Sequence, residues 1–154
     1  MGLFVGQHIL EKNLEFLMRS LPSVCAAEPR FRMVFVGEGY AKPRLKALAR
    51  ELGIADKVIF HDVVYDRELI KQFYARAELF LFPSKYDNAP LVMREAAAFK
   101  TPAVALRGST AAEVIRDGIN GFLSDDDPEA YAAAVVAALR DEKSRAAAGL
   151  DASR

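Results

Sequence analysis

Short runs of β-branched and aromatic residues alternate along the chain with longer stretches in which apolar positions recur every three or four residues. The runs Leu3 to Val5, Met33 to Val36, Val58 to Phe60, Leu79 to Phe82, Ala103 to Leu106 and Gly121 to Leu123 predict about six strands. Each is nearly all apolar, as strands covered on both faces should be. Between them, Leu14, Leu17, Met18 and Leu21 share one helical face, and Leu45, Leu48, Ala49 and Leu52 repeat the pattern ahead of Gly53, a C-cap candidate. Asp66 is placed to cap a third helix carrying Leu69, Ile70, Phe73 and Tyr74. The alanine-rich end, Ala130 to Ala148, reads as helix. Strand and helix in alternation, joined by right-handed crossovers, give an α/β fold with a doubly wound, Rossmann-like parallel sheet.

With 154 residues and 52% hydrophobic content the chain reads as one domain, residues 1–154, able to bury a substantial core. Its 21 basic and 21 acidic residues cancel, so charge alone argues for no nucleic acid or anionic membrane as partner. The single Cys25 has no internal disulfide partner, and the start lacks a leader pattern, which favours the cytoplasm. The longest apolar stretch, Tyr131 to Leu139, is about half of what a membrane span needs. Peripheral attachment to the cytoplasmic face of a membrane stays open.

Sheets of this kind bind ligands at the carboxyl ends of their strands, so the loops there are the places to look for chemistry. The first, Gly6 to Asn13, offers a glycine for close backbone approach, the polar Gln7 and His8, the positive Lys12, and free N–H groups at the start of the following helix, a set that suits a phosphate. The alternative reading of Lys12 is a solvated surface lysine, and that of His8 a packed side chain. The second, Gly37-Glu38-Gly39, is either a diphosphate contact or a tight turn; Pro43 stands where a dinucleotide fingerprint would continue with glycine, so nicotinamide and flavin cofactors are not indicated.

The fourth loop, Phe82 to Ala96, carries two carboxylates eight positions apart. Pro90 marks a helix start, which leaves Asp87 in the loop ahead and Glu95 just over a turn inside. Backbone N–H groups of Asn88, Ala89, Leu91 and Val92 would then face an anion, with carboxylates on either side for sugar hydroxyls. As a turn residue and a surface residue, Asp87 and Glu95 need no ligand at all. Asp125, Asp126 and Asp127 invite a metal, but Asp127-Pro128-Glu129 is the expected N-cap, N1 and N2 of the last large helix, so no metal is expected.

Taken together, Val5-Gly6 with Glu11-Lys12-Asn13, Phe35 to Gly39, Leu52-Gly53-Ile54, Val58-Ile59-Phe60, Ala77 to Ser84, the Asp87 and Glu95 pair, Thr101-Pro102, Glu113-Val114-Ile115 and Asp117 to Phe122 resemble one family. It is the glycogen-synthase-like retaining glycosyltransferases of family four, also called glycosyl transferases group 1. The resemblance implies the C-terminal half of a GT-B fold, with an N-terminal acceptor domain absent from this chain. It also implies transfer of a hexosyl group from a UDP- or GDP-linked sugar to an acceptor hydroxyl with retention, in polysaccharide biosynthesis, with no cofactor. Lys12 and Asp87 become the catalytic positions. Gly6, Gln7, Lys12, Gly37, Gly39, Asp87, Asn88, Ala89, Pro90, Leu91, Val92 and Glu95 hold the nucleotide sugar, Glu95 through the ribose hydroxyls and Asp87 near the hexose.

Three positions depart from the family pattern. Gln7 stands in place of an arginine, weakening leaving-group stabilisation by about 1.5–3 kcal/mol unless another cation such as Arg107 or Lys85 replaces it. Asp87 replaces a glutamate, and Asp62 a glycine in the loop beside the nucleobase. Two other readings share the cradle: a GT-B-fold nucleotide-sugar epimerase, and a non-catalytic nucleotide-binding module. The isolated domain is expected to bind its donor and turn over poorly.

Overall fold

The computed structural model describes residues 1–87 and 91–154. Its strands are β1 (Gly2–Val5), β2 (Met33–Val36), β3 (Val58–His61), β4 (Leu79–Phe82), β5 (Ala103–Leu106) and β6 (Phe122–Ser124). All pair in parallel, in the order β3-β2-β1-β4-β5-β6. The helices are α1 (Leu14–Ala27), α2 (Lys42–Glu51), α3 (Arg67–Arg76), α4 (Leu91–Ala98), α5 (Pro128–Arg140) and α6 (Glu142–Ala152). Among the described residues no helix is long and apolar enough to cross a membrane.

The expected coverage of both sheet faces holds for β2, β4 and β5, buried along their whole length, and for all of β1 except the half-buried Val5. At the edges it fails: Ile59 of β3 is 51% exposed, and Phe122 and Leu123 of β6 are half-buried. An edge strand has a neighbour on one side only, so less of it is covered. Inside, Phe4 stacks on Phe80 and Phe82, with ring centroids 6.5 and 6.2 Å away, and meets Phe35 at 6.2 Å. Tyr131 of α5 packs edge-on against Phe16 of α1 and donates its hydroxyl to the Val104 carbonyl (2.7 Å), so its polar end is satisfied in the core.

Local chemistry sets the helix ends. Gly53 follows α2 in a left-handed turn that returns the Gly53 and Ile54 N–H groups to Arg50 and Ala49 (3.0 and 2.9 Å). Asp66 caps α3 through the N–H groups of Glu68 and Leu69, and Asp127 caps α5 through that of Ala130. The alanine-rich end is two helices rather than one. Asp141 leaves the helical conformation, caps the second piece through Ser144 N–H (3.0 Å), and lets α6 turn back toward α4.

Where α6 meets the end of α4, Gly149 lies against the Lys100 carbonyl: an added Cβ would sit 2.1 Å from that oxygen and 3.3 Å from Pro102 Cδ. Helix propensity alone favours Gly149→Ala by about 1 kcal/mol. The clash opposes it, because the blocking atom is backbone in the left-handed turn at Lys100 (φ 58°) and cannot rotate away. Overpacking at the upper end of about 1–3 kcal/mol exceeds the propensity gain by about 1–2 kcal/mol, so Gly149→Ala lowers the Tm by roughly 2–8 °C in a thermal melt. An unchanged or raised Tm would show that α6 does not seat there.

Candidate functional site

The strand order reverses between β1 and β4, which diverge in sequence direction from the centre of the sheet, and the loops leaving their carboxyl ends form the crevice in which such folds bind ligands. The loop from Gly6 to Asn13 lies between β1 and α1, where the sequence placed it, and carries structure of its own. Gly6 to Ile9 lead into one 3-10 turn, Leu10–Lys12, then Asn13 in a left-handed conformation (φ 60°), and only then α1. The long loop leaves room for a second function: its backbone pairs with the loop after β2. Gly6 N–H donates to Val36 (3.0 Å), His8 N–H to Glu38 (2.8 Å), and Ala41 N–H returns to His8 (2.9 Å).

This pairing explains Gly37 and Gly39. A Cβ on Gly37 would lie 2.0 Å from the Gly6 oxygen, and one on Gly39 2.3 Å from that of His8, so both positions exclude a side chain because two backbones touch. Lys42, which was not selected from the sequence, fixes the arrangement. Its buried ammonium donates to the Gly37 carbonyl (3.2 Å), to Asp62 (3.1 Å) and to Glu38. Burial opposes the charge on Lys42, but the hydrogen bonds to Glu38 and Asp62 outweigh it and raise its pKa; the same bond holds the Asp62 carboxyl below its usual range. Asp62, expected in a loop beside the nucleobase, thus helps to hold Lys42 under the loop after β2.

Across the reversal point, Lys12 from the β1 loop and Asp87 from the β4 loop form an ion pair with both side chains largely covered. Thr110 grips Asp87 by its main chain: the Thr110 hydroxyl accepts from the Asp87 N–H (2.8 Å) and donates to the Asp87 carbonyl (3.0 Å). Asn13 Nδ2 donates to the Pro83 carbonyl (3.0 Å), tying the two loops again. Glu95, the fifth residue of α4, accepts the Tyr74 hydroxyl of α3 (3.0 Å). Asn88, Ala89 and Pro90 lie outside the described residues.

A cleft of about 540 Å³ opens at these strand ends. Gly6, Gln7, Gly37, Val92 and Glu95 line it, so five of the anticipated positions converge. Val63, Val64, Tyr65 and Ile70 make its apolar wall, and Arg67, at the start of α3 and without an ion-pair partner among the described residues, adds a guanidinium. Gly39 is packed beneath His8, and Leu91 is exposed at the first turn of α4. Asp87 lines a second, larger hollow of about 780 Å³, which Met93, Arg94 and Glu113 share. Among the described residues, the smaller cleft alone joins the glycine loops to Glu95. Arg107 is paired with Asp117 (3.1 Å) and Asp125 (3.2 Å), and Lys85 with Asp126 (2.7 Å), so the acidic run is accounted for by salt bridges and by the Asp127 cap. Lys42, Arg67, Tyr74 and Thr110 were not selected from the sequence. Only Lys42 carried a cue, standing four residues after Glu38 at a helix start.

With this geometry in place, comparison with known proteins finds that the family described as glycosyl transferases group 1 matches residues 1–153. A D-inositol 3-phosphate glycosyltransferase of Thermomonospora curvata is 36% identical over 152 residues, covering 93% of this chain and 35% of that protein. An uncharacterized glycosyltransferase of Methanocaldococcus jannaschii is 30% identical over 142 residues, covering 92% and 36%. The chain therefore spans about a third of the length of these relatives. Among solved structures, the C-terminal domain of LpcC, a glycosyl transferase group 1 family protein of Francisella tularensis, superposes with a TM-score of 0.86 at 21% identity, covering 99% of this chain and 82% of that one. Anabaena HepE in complex with UDP gives 0.86 at 21% identity, covering 99% and 42%.

His8 yields a test of the loop pairing. Its ring is fully buried beside Phe4, Phe35 and Phe60; Nδ1 faces the Gly6 carbonyl at 3.1 Å, and Nε2 has no partner among the described residues. Burial holds its pKa below the ordinary 6.5. Between the two values the unfolded chain binds a proton that the native chain does not, so stability is complete above pH 6.5 and falls on acidification toward the native pKa. Denaturant titrations should show a slope of up to about 1.4 kcal/mol per pH unit in that window, and His8→Phe should remove this histidine's share of it. An unchanged slope in the variant would show that His8 is not buried neutral.

Proposed function

The chain belongs to the glycosyl transferases group 1 family, and from that premise we propose that it is the donor-binding, C-terminal domain of a two-domain GT-B glycosyltransferase. The reaction is transfer of a hexosyl group from a nucleoside diphosphate sugar to an acceptor hydroxyl, with the anomeric configuration retained. The observation that carries this reading is the cleft in which the Gly6 and Gly37 backbone, the Gln7 amide and the Glu95 carboxylate converge at the reversal of strand order. Its apolar wall suits a base, its glycine loops a diphosphate, and its carboxylate a pair of ribose hydroxyls.

In this reading the diphosphate lies over Gly6, Gln7 and Gly37, with the first turn of α4, at Leu91 and Val92, directing amides toward it. Lys12 neutralises the charge that grows on the diphosphate as the glycosidic bond breaks. Asp87 approaches the hexose. Their ion pair holds both groups in orientation before the donor arrives, which lowers the reorganisation needed at the transition state. Gln7 brings no charge, and Arg67 supplies a cation to the same cleft, a role for which Arg107 and Lys85, engaged with acidic partners, are less suited. The donor is UDP- or GDP-linked and no metal takes part. The acceptor binds a preceding domain, and the complete enzyme works in the cytoplasm, at the cytoplasmic face of a membrane where its acceptor is lipid-borne.

In the complete two-domain protein, Lys12→Ala should lower kcat/KM about 10²–10³-fold, the usual consequence of removing one preorganised donor from a developing anion. Lys71→Ala, on the exposed face of α3, should leave it unchanged. Equal losses in the two variants would remove Lys12 from the mechanism, and a product that is itself a nucleotide sugar would replace transfer by epimerisation.

A further inference from the structure

Two carboxylates line the cleft: Glu38, engaged by the Lys42 ammonium, and Glu95, held by the neutral hydroxyl of the buried Tyr74. Tyr74, on the last turns of α3, is 1% exposed; its ring stacks on Phe99 (centroids 6.0 Å, planes 9° apart) and tilts against Phe80 (5.8 Å), so packing fixes its position. Its hydroxyl points out of the core to Glu95 Oε2 (3.0 Å), and its carbonyl accepts the buried Thr101 hydroxyl (2.7 Å), which anchors the same turn to the start of β5. A phenol with a single O–H can hold one carboxylate oxygen and no more. Burial first, and the nearby Glu95 charge second, raise the Tyr74 pKa, so the hydroxyl stays protonated and remains a donor.

We propose that Tyr74 is a positioning residue for nucleotide recognition: by holding Glu95 Oε2 it turns the other oxygen, Oε1, into the cleft to receive the ribose hydroxyls, and so makes the site selective for ribonucleotides. The proposal rests on the ribose role of Glu95 given above. A carboxylate held at one oxygen by a packed ring is preorganised, whereas a free glutamate side chain loses rotamer freedom on binding, which weakens the contact.

Titration calorimetry with UDP, GDP and ADP, each beside its 2′,3′-dideoxy counterpart, tests this on wild type, Tyr74→Phe, Glu95→Ala and the double variant. Phenylalanine keeps the ring and removes only the hydroxyl, and a thermal melt of each variant confirms folding. Wild type should prefer the ribonucleotide, and Tyr74→Phe should weaken its binding by about tenfold while leaving the dideoxy form unaffected, so that the preference collapses. In the Glu95→Ala background Tyr74→Phe should have no further effect. Retention of the full preference by Tyr74→Phe, or equal weakening of both nucleotide forms, overturns the proposal and leaves the ribose role of Glu95 standing. Absence of any preference in wild type overturns that role, and the proposal with it. If Tyr74→Phe does not fold, Glu95→Asp, one methylene too short to meet both Tyr74 and a ribose, must lose the preference; its retention overturns the proposal.

Discussion

Because β1 lies between β2 and β4 and all six strands run the same way, each loop that carries chemistry leaves the sheet at the same edge. The loops after β1 and β2 approach until their backbones touch, which is sterically allowed only because Gly37 and Gly39 lack a Cβ. That contact depends in turn on Lys42, whose buried ammonium joins the Gly37 carbonyl to Glu38 and Asp62. On the other side of β1, the Lys12 and Asp87 pair and the bond from Asn13 to Pro83 draw the β4 loop in. The site is therefore a seam of loop contacts around one strand end.

Charge is distributed along this seam with some economy. Lys12, Lys42, Lys85 and Arg107 each face an acidic partner, which keeps the local charge near balance and the loops together. Arg67, without such a partner among the described residues, faces the cleft. Glu95 is oriented by a neutral donor, Tyr74, instead of a cation, so its full negative charge remains for hydroxyl donors.

Much of this fold was legible in the sequence because its signals are local. Nearly all-apolar runs of three or four residues located every strand to within one residue, and Gly53, Asp66 and Asp127 marked helix ends through their own side chain or lack of one. The break at Asp141 was missed because alanine favours helix on both sides, and only the return of α6 onto Lys100 demands the turn. Of the cleft-lining residues, Gly6, Gln7 and Gly37 were anticipated from their place at strand ends, and Val92 and Glu95 from the helix that follows the fourth strand. Lys42, Tyr74 and Thr110 were not, since each acts on a partner 20 or more residues away (20, 21 and 23 for Asp62, Glu95 and Asp87), and no spacing rule reaches across a sheet. The two glycines of Gly37-Glu38-Gly39 were visible, but whether they served a ligand or a neighbouring backbone depended on the fold.

The claim that a nucleoside diphosphate binds at the reversal of strand order is tested most directly by a nuclear magnetic resonance titration of the isotope-labelled chain with UDP, GDP and ADP. The account predicts that one of them shifts the amides of Gly6, Gln7, Gly37, Val92 and Glu95 in a saturable way. Shifts confined to Arg94, Arg116 and Arg154, which line the larger hollow, or no shift with any of the three, would contradict it.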